Sequence, residues 1–239
     1  MAHGKAARLA GLLYLLLAPT TGFWQVTSQA LMTGDAATVF AQVMAGRTRL
    51  ELAIAAGAIG AVDFLILGVV FYWLFSATSK AASGLLLALV GASVPIFLVA
   101  VTRQMDVLFI LDSAQLVPAL GRDQVQLQIL LALHSYSNLF LVTNIFSGLW
   151  LIPLGWLVFR CGFMPKFIGV LLVMGSLFYV ASFIAPVFDP QYQSTLLGRT
   201  IGIVSGIPGF LGELGTILWL LIRGARETPT KVRLSDAAV

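Results

Sequence analysis

Phe167–Phe188 reads FIGVLLVMGSLFYVASFIAPVF and Leu85–Val101 reads LLLALVGASVPIFLVAV, and neither stretch holds a charged side chain. A helix needs about 20 mostly apolar residues to cross the hydrocarbon core of a bilayer. In lipid the backbone has no water to bond to, so a spanning chain is either helical or a closed barrel. Barrel strands alternate apolar and polar residues, whereas these runs are continuous. They read as membrane helices. Further runs at Ala7–Met32, Leu52–Phe75, Ala82–Leu111, Leu127–Phe159 and Thr200–Ile222 predict, with Phe167–Phe188, an all-α polytopic bundle of about six spans. The first, third and fourth exceed a minimal span and should tilt, kink or project beyond the lipid. Pro19, Pro95, Pro153 and Pro208 fall inside helical runs and are expected kink points.

Composition agrees. Of the 239 residues 59% are hydrophobic and 10% charged, and the mean hydropathy is +0.97. A soluble domain carries about 25% charged residues, so lipid is the expected partner. The net charge of +4 is scattered between apolar runs, which argues against nucleic acid. Lys5, Arg8, Lys80, Arg160, Lys166, Arg223, Arg226, Lys231 and Arg233 fall on the side of the N-terminus. Arg47, Arg49, Arg103, Arg122 and Arg199 fall on the other. The positive-inside rule then predicts both termini in the cytoplasm. Most acids, namely Asp35, Glu51, Asp106, Asp112, Asp123 and Asp189, lie on the outer side. Residues 1–224 read as one transmembrane domain and the polar stretch 225–239 as a disordered cytoplasmic tail. The segments Thr33–Arg49 and Asp112–Gln126 each look too short to hold a core. Lys5 and Arg8 before Leu9–Ala18 superficially suggest a signal peptide, but the apolar character runs on through Phe23 and Trp24.

Ionisable groups are costly at mid-membrane and usually face protein or water. Asp63 and Glu213 qualify. With about 1.5 Å of rise per residue, they lie roughly 18 and 15 Å from the cytoplasmic ends of their spans. Ala56, Gly60 and Asp63 share a face, as do Gly202, Gly206, Gly209 and Glu213, and small residues at such spacing let helices approach closely. Nearer the outer side lie Gln25 and Gln29 with Ser28, the pair Arg103 and Asp106, and His134, Ser137 and Asn138. Asn144 lies deeper. Trp24, Tyr136 and Tyr179 could wall a cavity that narrows toward Asp63 and Glu213. Catalytic candidates are Asp63, Glu213 and His134; ligand-binding candidates are Gln25, Gln29, Arg103, Asp106, Asn138 and Asn144. The bland alternatives are hydrogen-bonded acids joining helices, an interfacial Arg103–Asp106 pair, and Trp150, Trp156 and Trp219 as interface aromatics. With one cysteine, Cys161, and no Cys/His cluster, no metal site and no cofactor are expected.

Several stretches occur together in order: Arg8-Leu-Ala-Gly-Leu-Leu-Tyr-Leu, His134-Ser-Tyr-Ser-Asn, Gly155-Trp-Leu-Val-Phe-Arg-Cys-Gly-Phe-Met-Pro-Lys, Gly169-Val-Leu-Leu, Phe178-Tyr-Val, Gly212-Glu-Leu and Leu218-Trp-Leu-Leu-Ile-Arg-Gly. Over about residues 6–224 the chain resembles the bacterial membrane family known as domain of unknown function 4386 (DUF4386). The resemblance implies a multi-pass protein of the bacterial cell membrane and no defined activity. His134 and Glu213 match the family's pattern. The arginine often carried in its third span is missing from Gly91-Ala-Ser-Val-Pro-Ile-Phe, and Arg103 is too far along to stand for it.

Three functional classes fit these residues. One is binding or transport of a small lipophilic or cationic molecule through an outward-facing polar cavity with buried acids. The second is acid–base catalysis on a lipid or isoprenoid, with a neutral carboxyl as proton donor. The third is an accessory or structural subunit whose polar residues only join helices.

Overall fold

The computed structural model describes residues 3–113, 116–189, 191 and 195–225. Most of the expected tail, and the surroundings of Arg199 and Gly202, lie outside the described residues. Nine helices and no strand occur among the described residues: α1 His3–Ala30, α2 Ala36–Ala45, α3 Arg47–Phe75, α4 Lys80–Asp112, α5 Leu116–Leu120, α6 Arg122–Leu149, α7 Leu151–Arg160, α8 Lys166–Phe188 and α9 Leu196–Ile222. Five stretches are long and apolar enough to cross a membrane: Gly4–Ala30, Arg47–Phe75, Lys80–Asp112, Arg122–Arg160 and Lys166–Phe188. In α9 the described apolar stretch is the shorter Gly206–Ile222. The 33 residues of α4 extend about 50 Å and overrun an apolar core of about 30 Å.

Six long elements close into a ring. α1 packs on α3, α3 on α4, α4 on α6, α6 on α8, α8 on α9, and α9 returns to α1. The outer surface of this ring is apolar, with Leu12, Val26, Ile59, Ile66, Phe109, Leu177 and Phe210 all exposed. Such a surface is stable only against lipid or another apolar partner. One end of the bundle carries Lys5, Arg8, Lys80, Arg160, Lys166 and Arg223, with no acid there among the described residues. The opposite end carries Asp35, Glu51, Asp106, Asp112, Asp123 and Asp189. These are called the basic and acidic ends below.

α6 and α7 are one rod interrupted at Trp150. Pro153 has no N–H to give the carbonyl four residues back, at Leu149, so the regular helix ends there. Pro19, Pro95 and Pro208 instead sit inside uninterrupted helices. α8 is held by backbone-to-backbone crossings. Gly155 meets Gly169, Gly175 meets Gly209, and a Cβ on Gly148 would stand 2.8 Å from the Ser176 carbonyl oxygen. Van der Waals contact between small residues is what joins helices when lipid removes the hydrophobic drive.

The two connecting segments, each too short for a core alone, build one jointly. Asp35 caps α2 by accepting a hydrogen bond from the Thr38 amide at 2.9 Å. That fixed helix lays Val39 and Val43 against Leu50, Val107, Ile110, Val125, Ile129 and Leu133. Arg47 clasps the same end, donating to both Asp112 oxygens at 2.6 and 2.8 Å and to Glu51 at 2.9 Å.

Candidate functional site

The centre of the ring holds a partly open cavity of about 160 Å³. α1 contributes Tyr14, Leu17, Ala18, Thr21 and Gln25, and α3 contributes Gly60, Ala61 and Phe64. Phe97 of α4, Phe140, Asn144 and Ser147 of α6, and Trp150 complete two further walls, while Tyr179 of α8 and Glu213 of α9 face them. These residues meet because each helix turns one face inward over the same stretch of the ring, that of α1 running about three turns from Tyr14 to Gln25.

Glu213 is the charged chemistry of this cavity. It lies deep in the bundle yet partly accessible, and Tyr179 Oη donates to its Oε1 at 3.0 Å. The Gly175–Gly209 crossing sets that distance, because each glycine lies four residues before one member of the pair. The Tyr14 hydroxyl interacts electrostatically with the same carboxyl, but it stays outside hydrogen-bond geometry and is otherwise unpartnered. Among the described residues no Lys, Arg or His lines the cavity, and none of the ion pairs involves Glu213.

Six lining residues carry aromatic rings. Phe64 packs edge-on against Trp150 with centroids 5.1 Å apart and against Phe97 at 6.2 Å. Tyr14 meets Trp150 at 5.7 Å. From this floor a column of rings continues to the basic end: Phe71 beside Tyr14 and Trp150, then Phe75, then Phe163.

Behind the Phe97 and Phe140 walls stands Trp24, fully buried and in ring contact with both. Its indole N–H donates to Gln104 Oε1 at 2.6 Å, Gln104 Nε2 donates to Ser28 Oγ at 2.6 Å, and Ser28 Oγ donates to the Trp24 carbonyl at 2.6 Å. A Cβ on Gly57 would fall 2.7 Å from the indole, so the glycine makes room for the ring.

The residues expected from the sequence separate into groups. Gln25, Asn144 and Glu213 share the cavity, with Tyr179 as one wall. Gln29, His134 and Asn138 are exposed on α1 and α6 and do not line it. Arg103 and Asp106 pair with each other at 3.2 Å on an exposed surface. Asp63 is only 4% exposed, and both its oxygens lack a hydrogen-bond partner. It lies outside the cavity lining, shielded by the atoms touching it but near the edge of the bundle, between exposed Val62 and Ile66. Trp150, read as an interface aromatic, is 5% exposed and forms cavity floor. Trp150 lies in the wholly apolar run 149–159, where no polar side chain marks the buried face. Sequence reading also passed over Tyr14, Phe64, Phe97, Phe140 and Ser147. Ser147, three residues after Asn144, carried a usable signal: two polar groups on one face of an apolar helix. No group of three His, Cys, Asp or Glu side chains suited to a metal occurs among the described residues.

Comparison with known proteins places the chain in a family. The model of DUF4386, a domain of unknown function, matches residues 9–224. The chain belongs to the DUF4386 family. This DUF4386 protein is also similar to an uncharacterized protein of Archaeoglobus fulgidus, at 33% identity over 82 residues. That similarity covers 34% of the chain and 44% of the relative, so the chain matches less than half of its length. No solved structure matches.

Proposed function

We propose that this DUF4386 protein is an integral protein of the bacterial cell membrane that binds a small lipophilic or cationic molecule in its central cavity. The observation that carries the reading is Glu213, a carboxyl deep in the ring that opens onto space lined by rings and by Gln25, Asn144 and Ser147. A carboxyl at that depth is expensive to keep, and a purely structural one would be expected to finish its hydrogen bonds within protein. The cavity runs toward Gln25 on the acidic-end half of α1, while the ring column fills the opposite side. The basic end faces the cytoplasm, in keeping with the distribution of Lys and Arg.

Two measurements test this. Fusions of a phosphatase and of a fluorescent protein to the C-terminus should give fluorescence and no phosphatase activity; the reverse would invert the proposed topology. A panel of small amphiphiles should include compounds that raise the melting temperature of the purified wild type. They should not raise that of Ala18→Trp, which fills the cavity from the partly lipid-facing α1. If every compound acts equally on both proteins, the cavity is not a binding site.

A further inference from the structure

We infer that the cavity takes a compact organic ammonium ion in exchange for a proton on Glu213, with the cationic centre against the carboxyl and its carbon groups against Phe64, Phe97, Phe140 and Trp150. This rests on the ligand-binding reading and names the ligand class.

Charge balance is the first ground. An ionised carboxyl in a low-dielectric interior costs far more than one neutral hydrogen bond returns. Glu213 has one such bond, from Tyr179. The titratable groups that face it are Tyr179 from α8 and Tyr14 from α1; both are neutral phenols that supply no positive charge. From α3, α4 and α6 the cavity receives only Gly60, Ala61, Phe64, Phe97, Phe140, Asn144 and Ser147, none titratable, and Asp63 stands outside the lining. One positive charge is missing, and a proton or a ligand must bring it.

The walls are the second ground. Faces of aromatic rings attract cations, and aromatic cages are a recurring way to hold quaternary ammonium groups. Here the rings come from five different elements around a single acid. An anion would meet Glu213 with no basic residue to offset it. A neutral hydrocarbon would gain nothing from the carboxyl. Size is the third ground: a cavity of about 150 Å³ accommodates benzene, so about 160 Å³ suits a trimethylammonium group. Gln25, Asn144 and Ser147 can bond a hydroxyl carried beside it.

The exchange balances as written. The Glu213 O–H bond breaks, the proton leaves to solvent, and the carboxylate left behind pairs with the incoming cation. No other bond changes.

The test compares choline with 3,3-dimethylbutan-1-ol, in which carbon replaces the quaternary nitrogen, on the wild type in a maltoside detergent that carries no ammonium headgroup. Choline should bind at least tenfold more tightly than the alcohol. It should release close to one proton, read as a pH change in weak buffer. Below the titration of Glu213 its affinity should rise about tenfold per pH unit, the slope for one displaced proton. Glu213→Gln should abolish the proton release, and the wild-type comparison decides the matter if that variant fails to fold. Equal binding of the two compounds, or choline binding without proton release, overturns the exchange while leaving a ligand site. If neither compound binds while others from the amphiphile panel still separate the wild type from Ala18→Trp, the ammonium assignment alone falls. If nothing separates those two proteins, the ligand-binding reading falls with it.

Discussion

Replacing Gln104 with leucine should destabilise the bundle by removing the one side chain that joins α1 to α4 through hydrogen bonds at Trp24 and Ser28. Leucine keeps most of the volume, so the loss is of polar contacts and not of packing. Two bonds disappear, Trp24 Nε1 to Gln104 Oε1 and Gln104 Nε2 to Ser28 Oγ, both 2.6 Å and both buried. Hydrogen bonds between membrane helices contribute about 0.6 kcal/mol on average and up to about 1.7, so the pair is worth about 1–3 kcal/mol. The indole N–H, buried at 0% exposure, would also lose its only partner, which pushes the cost to the upper part of that range. A double-mutant cycle with Trp24→Phe isolates the bond from the ring. Each single change strands one partner; the double change strands neither, so it should cost less than the sum by about 1 kcal/mol or more. Unfolding titrations in mixed micelles of denaturing and non-ionic detergent would measure all four proteins. Additivity within about 0.3 kcal/mol would refute the view that this triad ties α1 to α4. Because Trp24 backs Phe97 and Phe140, Gln104→Leu should also weaken any ligand that reports on the cavity.

Three further outcomes follow from local geometry. Gly175→Ala puts a Cβ onto the Gly209 backbone; since backbone cannot step aside, it should cost about 1–3 kcal/mol, while Gly84→Ala, with open space around it, should be neutral or stabilising by up to about 1 kcal/mol. Asp63→Leu should raise stability by about 1–3 kcal/mol, because it removes two buried oxygens that lack partners; a loss of folded protein instead would refute that reading. Burial pushes the Cys161 thiol above its ordinary pKa, so its thiolate fraction at neutral pH is smaller than that of a free thiol. Maleimide labelling of the intact protein should therefore be slow at pH 7 and rise about tenfold per pH unit, and labelling at the rate of a free thiol would contradict that burial.

The membrane-helical class was legible because apolar runs of this length and continuity have no stable alternative. The boundary between functional and structural polar residues was less so. Asp63 and Glu213 looked alike in sequence, as acids at similar depth on helices with small neighbours. Rotation about the helix axis distinguishes them, and α3 is apolar nearly all round, so its sequence carries little record of which face turns inward. Gly60 and Ala61 line the cavity while Asp63 turns to the side. Gln104 stands among Thr102, Arg103 and Asp106, and nothing in that polar stretch marks it as the side chain that turns inward. The floor of the cavity was invisible for a different reason. Tyr14 and Phe64 come from α1 and α3 and Trp150 from the break between α6 and α7, and only the closure of the ring brings them together.

The column of rings below that floor has a consequence for traffic. Tyr14, Trp150, Phe71 and Phe75 are each at most 5% exposed, and near them α1 and α9 touch closely, where Gly11 faces Leu220 and Leu221. A solute moving onward would have to part four interlocked side chains and separate two helices whose main chains nearly touch. In this arrangement the stack closes the cavity toward the basic end, so on the proposed binding reading a ligand would not pass onward in that direction unless a second arrangement of the bundle dismantled the stack.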